Sequence, residues 1–182
     1  MLYLYAAESF REFRHEIGRK ILKMKYEELF GKPLPEIAIG PRGKPYFPNH
    51  ECYFSISHTD GWTYCAISDH EVGLDIEHLR PVSMNAVNRI LSDSELEEFH
   101  ADKYSHIVFM KFWTLKEAYV KYTGKGLCGV SPYRLEFTLK GTNPKMIYEK
   151  NLYFWNRVHH DIVVSLCTEK REKPIFELLT QR

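Results

Sequence analysis

The sequence predicts an α+β protein of two pseudo-symmetric halves, each a strand, a helix or helices and an antiparallel sheet. Three observations carry this. A short apolar start leads into one helical stretch and then two strand-like runs. A second strand, near residue 72, leads into a longer helical stretch followed by further strands. Clusters of Gly, Pro, Asn and Asp separate the runs, and the two halves, 1–69 and 70–182, share no visible sequence repeat.

The elements follow in order. Met1 to Ala7 reads as a strand, and Ser9 as the N-cap of a helix reaching Phe30, where Gly31 and Pro33 supply the stop. Phe10, Phe13, Ile17, Ile21, Met24 and Leu29 form its expected apolar stripe. After the breaker-rich loop Gly40-Pro41-Arg42-Gly43-Lys44-Pro45, Tyr53–Ser57 and Trp62–Ile67 read as strands joined at Asp60-Gly61. Val72 to Glu77 alternates as another strand. The pattern is helical from Ser83 to Tyr122, with Ser92-Asp93-Ser94-Glu95 marking a fresh start. Beyond Gly124-Lys125-Gly126 the strands Arg134–Leu139, Leu152–Val158, Asp161–Cys167 and Ile175–Leu179 are expected.

Composition narrows the function classes. With 44% apolar residues and 14% aromatics over 182 positions, the chain can fill a core. Twenty-five basic against 24 acidic residues give a net charge of +1, which argues against a surface that tracks a nucleic-acid backbone. Cys52, Cys65, Cys128 and Cys167 are far apart, so neither a zinc motif nor a disulfide framework is indicated. The apolar start gives way to Glu8 and has no basic lead-in, and no run approaches the roughly 20 apolar residues of a membrane span. A cytoplasmic protein with no nucleic-acid or membrane partner is expected.

The chemistry concentrates in two segments. In Val72-Gly73-Leu74-Asp75-Ile76-Glu77, alternation puts Gly73, Asp75 and Glu77 on one face and Val72, Leu74 and Ile76 on the other. Two carboxylates side by side repel, and the usual remedies are a cation or a shared proton. In Ile107–Tyr122, helical spacing puts Lys111, Thr114, Glu117 and Lys121 on one stripe, with Lys116 pointing roughly the opposite way. A plain Glu117–Lys121 surface pair would satisfy that stripe alone. With Glu117 as a third carboxylate, and with His58, Lys44, Lys121 and Lys125 near breaker-rich loops, a magnesium-bound phosphate ester becomes the better reading. That leaves a phosphoryl transferase, a magnesium-dependent nuclease or phosphohydrolase, and a noncatalytic binding module.

Four segments in order carry a resemblance. Gly43-Lys44-Pro45-Tyr46, Phe54-Ser55-Ile56-Ser57-His58-Thr59, Gly73-Leu74-Asp75-Ile76-Glu77 and Trp113-Thr114-Leu115-Lys116-Glu117-Ala118-Tyr119-Val120-Lys121, with the turn Gly124-Lys125-Gly126-Leu127, resemble the 4'-phosphopantetheinyl transferases of the surfactin-synthetase-activating subgroup. Ser55 stands where that subgroup commonly has Asn; either side chain supports the local turn.

The resemblance implies a monomer with its active site in the cleft between the halves. It implies transfer of the phosphopantetheine arm of coenzyme A to a serine of an apo acyl or peptidyl carrier protein, releasing adenosine 3',5'-bisphosphate. By it, Asp75, Glu77 and Glu117 are Mg²⁺ ligands, and Glu117 takes the serine proton directly or through water, with His58 a competing base. Lys121 contacts the pyrophosphate and Lys116 is a second such contact. Lys44, Pro45, Ser57 and His58 contact coenzyme phosphates, and Arg11 and Arg14 are the candidates to grip the 3'-phosphate. The segment His78–Met84, with Arg80, is the expected docking platform for an acidic carrier.

Overall fold

The computed structural model describes residues 1–10, 12–103, 105–126 and 131–180. Its elements are β1 (Leu2–Ser9), α1 (Arg14–Phe30), β2 (Ala38–Ile39), β3 (Pro45–Tyr46), β4 (Tyr53–Thr59), β5 (Gly61–Ser68) and β6 (Val72–His78). Then come α2 (Met84–Ile90), α3 (Asp93–Ala101), α4 (Ser105–Thr123), a 3₁₀ turn at Pro132–Arg134, β7 (Phe137–Thr138), β8 (Lys145–Met146), β9 (Tyr153–His159), β10 (Ile162–Thr168) and β11 (Ile175–Leu179).

Two sheets organise the chain, in the orders β11-β1-β5-β4 and β6-β10-β9. Both use one connection scheme. A strand enters, a helix or helices follow, and a hairpin returns whose second strand pairs antiparallel with the first: β5 with β1, β10 with β6. The pseudo-symmetry expected from element order is present in topology, although the sequence hides it.

The strand alternation shows how the layers stack. Leu2, Leu4 and Ala6 of β1 and Tyr64 and Ala66 of β5 pack with Val72, Leu74 and Ile76 of β6 and Ile162, Val164 and Leu166 of β10, so the sheets share one core. The opposite face of the first sheet, with Tyr5, Phe54, Cys65 and Ile67, is covered by Ile21, Leu22 and Tyr26 of α1. The opposite face of the second, with Val163 and Cys167, is covered chiefly by α4 through residues such as Phe112, Leu115 and Ala118. Along the junction, Ser55 Oγ accepts the Leu74 N–H at 3.0 Å and Ser57 Oγ accepts the Ile76 N–H at 3.3 Å, so hydroxyls of β4 satisfy backbone donors of β6.

Several expectations change. Ser9 does not cap α1: it ends β1, opposite Gly61, and its hydroxyl bonds to Thr63 Oγ1 at 2.8 Å. Continued ladder pairing outweighs the capping propensity, and α1 starts at Arg14. Its inward face is Gly18, Ile21, Leu22, Lys25 and Tyr26, while Phe10, Phe13 and Met24 are exposed. Gly18 allows the close approach, since a Cβ there would lie 2.7 Å from Ile56 Cγ2. Lys25 is buried among ion pairs to Glu28 at 2.9 Å and Glu177 at 2.8 Å.

The helical stretch after Ser83 is three helices. Ser92 caps α3 with a full capping box closed by Glu95, at the expected restart. The strand expected at Arg134–Leu139 is reduced to Phe137–Thr138, because Pro132–Arg134 forms a 3₁₀ turn. Ile175–Leu179 pairs in parallel with β1, returning the end of the second stretch to the first sheet, which a division at residue 70 does not anticipate. Cys52, Cys65 and Cys167 are buried free thiols; Cys128 and Leu127 lie outside the described residues. Among the described residues, no helix is long and apolar enough to cross a membrane.

Candidate active site

β6 and α4 build the site by close approach. A Cβ on Gly73 would lie 2.0 Å from the Ala118 carbonyl and 2.4 Å from the Tyr122 nitrogen, so only glycine admits the helix backbone here. The polar stripe of α4 therefore lies on the second sheet, not in solvent. Thr114, fully buried, bonds to Ser165 Oγ at 2.7 Å, and Ser165 is the β10 partner of Asp75. One turn further, Glu117 and Lys121 come down beside Asp75.

Lys121 leaves its helical neighbour and turns to the strand. Its ammonium donates to Asp75 Oδ1 at 2.8 Å and to Ser57 Oγ at 2.9 Å, and the Ser57 hydroxyl donates to the same Asp75 oxygen at 3.0 Å. The second half of the molecule thus supplies the charges and β4 the hydroxyl. Glu77, on the same face, accepts the Trp113 indole N–H at 3.3 Å and lies 3.8 Å from Arg80.

Glu117 is the unbalanced member. Its Oε1 is buried and accepts no hydrogen bond among the described residues. Burial first, then the charge of Asp75, pushes its carboxyl up to about 7 against the pull of Lys121, with Glu77 adding to the rise. Burial and Asp75 also raise Glu77, opposed by Trp113, Arg80 and Lys121. Three carboxyls sharing a poorly hydrated corner with one ammonium leave surplus negative charge, an all-oxygen donor set and one oxygen without a partner. Such a set suits a hard divalent cation. Among the described residues no three acidic, His or Cys side chains converge as a ready coordination shell, and the Lys121 ammonium lies against Asp75.

A groove leads away from this corner. A cavity of about 250 Å³ runs past Lys121, Ser55, Ile56 and Gly126 to Arg42, Lys44 and Pro45. It adjoins a second, of about 470 Å³, lined by Lys44, Pro45, Tyr46, Tyr53, Phe54, Glu71 and Gly124 among others. Lys44 belongs to both. Its ammonium bonds the Tyr122 carbonyl at 2.7 Å and pairs with Glu71, tying the 40–45 loop to the end of α4. On the other side of Ser57, His58 Nε2 meets His15 Nδ1 at 3.2 Å. Burial, with His15, Arg14 and Lys121 adding to it, holds the His58 imidazole below its ordinary pKa.

The structure thus brings Asp75, Glu77, Glu117, Lys121, Ser57 and His58 to one corner and Lys44 and Pro45 to the adjoining groove. Arg14 stands at the start of α1 on the His58 side, and Arg11 lies outside the described residues. Lys116 is the correction. It is 1% exposed and donates to Glu95 Oε2 at 2.5 Å, the Ile90 carbonyl at 2.7 Å and the Pro132 carbonyl at 3.0 Å, on the side of α4 away from the carboxylates. The wheel had placed it there; the motif alone suggested a phosphate contact. His15, Trp113 and Glu71 were missed. His15 pairs with a histidine 43 positions away, and no local spacing encodes that contact. Trp113 stood inside a quoted motif, one turn before Glu117, which was the available signal.

Comparisons with known proteins assign the family. A 4'-phosphopantetheinyl transferase of Bacillus subtilis is 31% identical over 133 residues, covering 66% of this chain and 59% of its own length. The 4'-phosphopantetheinyl transferase gsp of Aneurinibacillus migulanus is 33% identical over 111 residues, covering 60% of this chain and 46% of its own length. This chain therefore spans about half to three fifths of those relatives. A solved holo-[acyl-carrier-protein] synthase of Thermotoga maritima is 29% identical with a TM-score of 0.49, over 56% of this chain and 64% of that one. The family profile described as the 4'-phosphopantetheinyl transferase superfamily matches residues 71–169, from the start of β6 to just past β10, which takes in the strand and the helix that carry all three carboxyls. With more than half of its 182 residues inside that match, the chain belongs to the 4'-phosphopantetheinyl transferase superfamily.

Proposed function

We propose that this protein is a magnesium-dependent enzyme that moves the 4'-phosphopantetheine arm of coenzyme A onto a serine hydroxyl of an acyl or peptidyl carrier protein, acting as a monomer in the cytoplasm. The observation that carries the reading is the meeting of Asp75, Glu117 and Lys121 with Ser57 at the seam of the two sheets, where the groove past Lys44 begins. Asp75, Glu77 and Glu117 are the residues that would hold Mg²⁺. When bound, the ion supplies countercharge to a pyrophosphate.

The chain's own groups fit the remaining roles. Lys121 stabilises the negative charge that grows on the leaving bisphosphate. Lys44, Ser57 and His58, with Pro45 shaping the loop, hold coenzyme phosphates along the groove, and Arg14 and His15 stand beyond His58 for a further phosphate. The serine oxygen forms a bond to the phosphorus that carries the pantetheine arm. The bond from that phosphorus to adenosine 3',5'-bisphosphate breaks, and the bisphosphate leaves with the electron pair. The serine proton goes to the Glu117 carboxylate, whose Oε1 is buried with no hydrogen-bond partner among the described residues. His58 is turned to His15 and serves better as an anion contact than as the base. Arg80, 65% exposed beside Glu77, begins a loop suited to an acidic carrier.

Incubating purified protein with an apo-carrier, coenzyme A and magnesium, followed by mass spectrometry of the carrier, tests the reading. One added arm is expected. An unchanged carrier together with cleavage of an oligonucleotide would instead support the nuclease reading, and coenzyme binding without either reaction the noncatalytic one.

A further inference from the structure

Lys116 and Glu95 form a buried ion pair that the proposed chemistry does not use. Lys116 is 1% exposed and Glu95 0%. Every polar group of the pair has a partner. The ammonium donates to Glu95, to the Ile90 carbonyl at the last turn of α2, and to the Pro132 carbonyl at the 3₁₀ turn. The Glu95 carboxylate also accepts the Ser92 N–H at 2.9 Å at the start of α3 and the Phe137 N–H at 2.9 Å in β7. Five pieces of chain therefore meet at one point on α4. A cation at the C-terminal end of α2 is favourably placed against that helix's carbonyls.

Such a pair contributes little net stability, because desolvating two charges offsets most of their attraction. What a fully satisfied polar hub supplies is a single arrangement, since any rotation or slide strands a buried charge. Lys116 immediately precedes Glu117, so the rotation of α4 that the hub permits is also the rotation that points Glu117 and Lys121 at Asp75. Through Ile90 the same hub anchors α2, whose N-cap Ser83 closes the loop that runs from Glu77 past Arg80.

We propose that the Lys116–Glu95 pair positions α4, fixing Glu117 and Lys121 on the carboxylate corner in register with the loop 78–83. The inference rests on the transferase reading above and names positioning residues for it. Neither side chain touches substrate.

The test uses the full chain carrying Lys116→Met with Glu95→Gln, which replaces the pair by neutral groups of similar size. Melting temperature, kcat and KM for coenzyme A and for an apo-carrier, and the NMR resonance of the Trp113 indole N–H are measured. That N–H donates from α4 to Glu77 and so reports the helix rotation without any activity. The expected result is a variant that remains folded, a kcat lower by about 10- to 100-fold, and a shifted or broadened Trp113 resonance. A folded variant with an unmoved resonance overturns the inference, whatever its rate. Unchanged kcat, or a rate loss explained by the unfolded fraction alone, also overturns it.

If wild type transfers no arm, the transferase reading fails and the Trp113 resonance alone decides on positioning. Should the double variant not fold, Glu95→Gln, which keeps the shape and one acceptor oxygen, is read the same way. A smaller change in the same direction supports the inference, and none overturns it.

Discussion

Glu117 and Lys121 stand one helical turn apart, yet the lysine bonds to Asp75 across the helix–sheet seam and leaves a Glu117 oxygen without a partner among the described residues. Two measurements follow from that arrangement. Glu117, with its carboxyl near 7 in the folded metal-free protein, holds a proton that the unfolded chain releases near its ordinary value of 4.5. Its contribution to stability is therefore full below about 4.5 and is lost as pH rises through about 7. In chelator, Glu117 should contribute a fall in melting temperature over that window, and Glu117→Gln should remove that contribution, leaving those of the raised Glu77 and Glu95 carboxyls. Equal slopes in both proteins would contradict the raised carboxyl. Lys121→Ala should lower arm transfer on the order of 10²-fold and also lower the melting temperature, because it removes a charge aimed at the leaving group and the ammonium paired with Asp75. A loss under threefold would remove Lys121 from that role.

At the scale of elements, β6 and α4 were legible in the sequence because alternation and the helical wheel are local. Val72, Leu74 and Ile76 do face the shared core, and Asp75 and Glu77 the helix. What the wheel did not convey is that the polar stripe would be buried against the sheet. The approach depends on Gly73, and a side chain there meets backbone that cannot yield. Gly73→Ala should cost about 3 kcal/mol or more and reduce activity with it, read as a fall in denaturant midpoint. A neutral effect would mean that α4 stands further off. Lys116 shows the opposite limit. Its motif position suggested a ligand contact, and only the long-range meeting of Ile90, Glu95 and Pro132 reveals a structural partner set. The face of α1 was misread for a related reason: its buried residues include Gly18 and Lys25, which no apolar stripe would name.

For the whole molecule, the α+β class and the doubled element order were readable from the chain, and the return of β11 to the first sheet was not. Pairing between residues such as Tyr3 and Ile175 leaves no trace in local periodicity. Lys25 secures that return by joining α1 to Glu177 of β11. Lys25→Ala should cost about 1 kcal/mol and speed amide hydrogen exchange in 175–179 more than in β5. Uniform exchange would mean that β11 does not depend on this tie.

The central proposal is that Asp75, Glu77 and Glu117 at the seam between the sheets close on one divalent ion when it binds, and its most direct test is Mn²⁺ binding followed by electron paramagnetic resonance with coenzyme A present. The account predicts one tightly held ion per chain in the wild type and its loss in Asp75→Ala, with the fold retained. Equal binding by the two proteins, or none by the wild type, would contradict it.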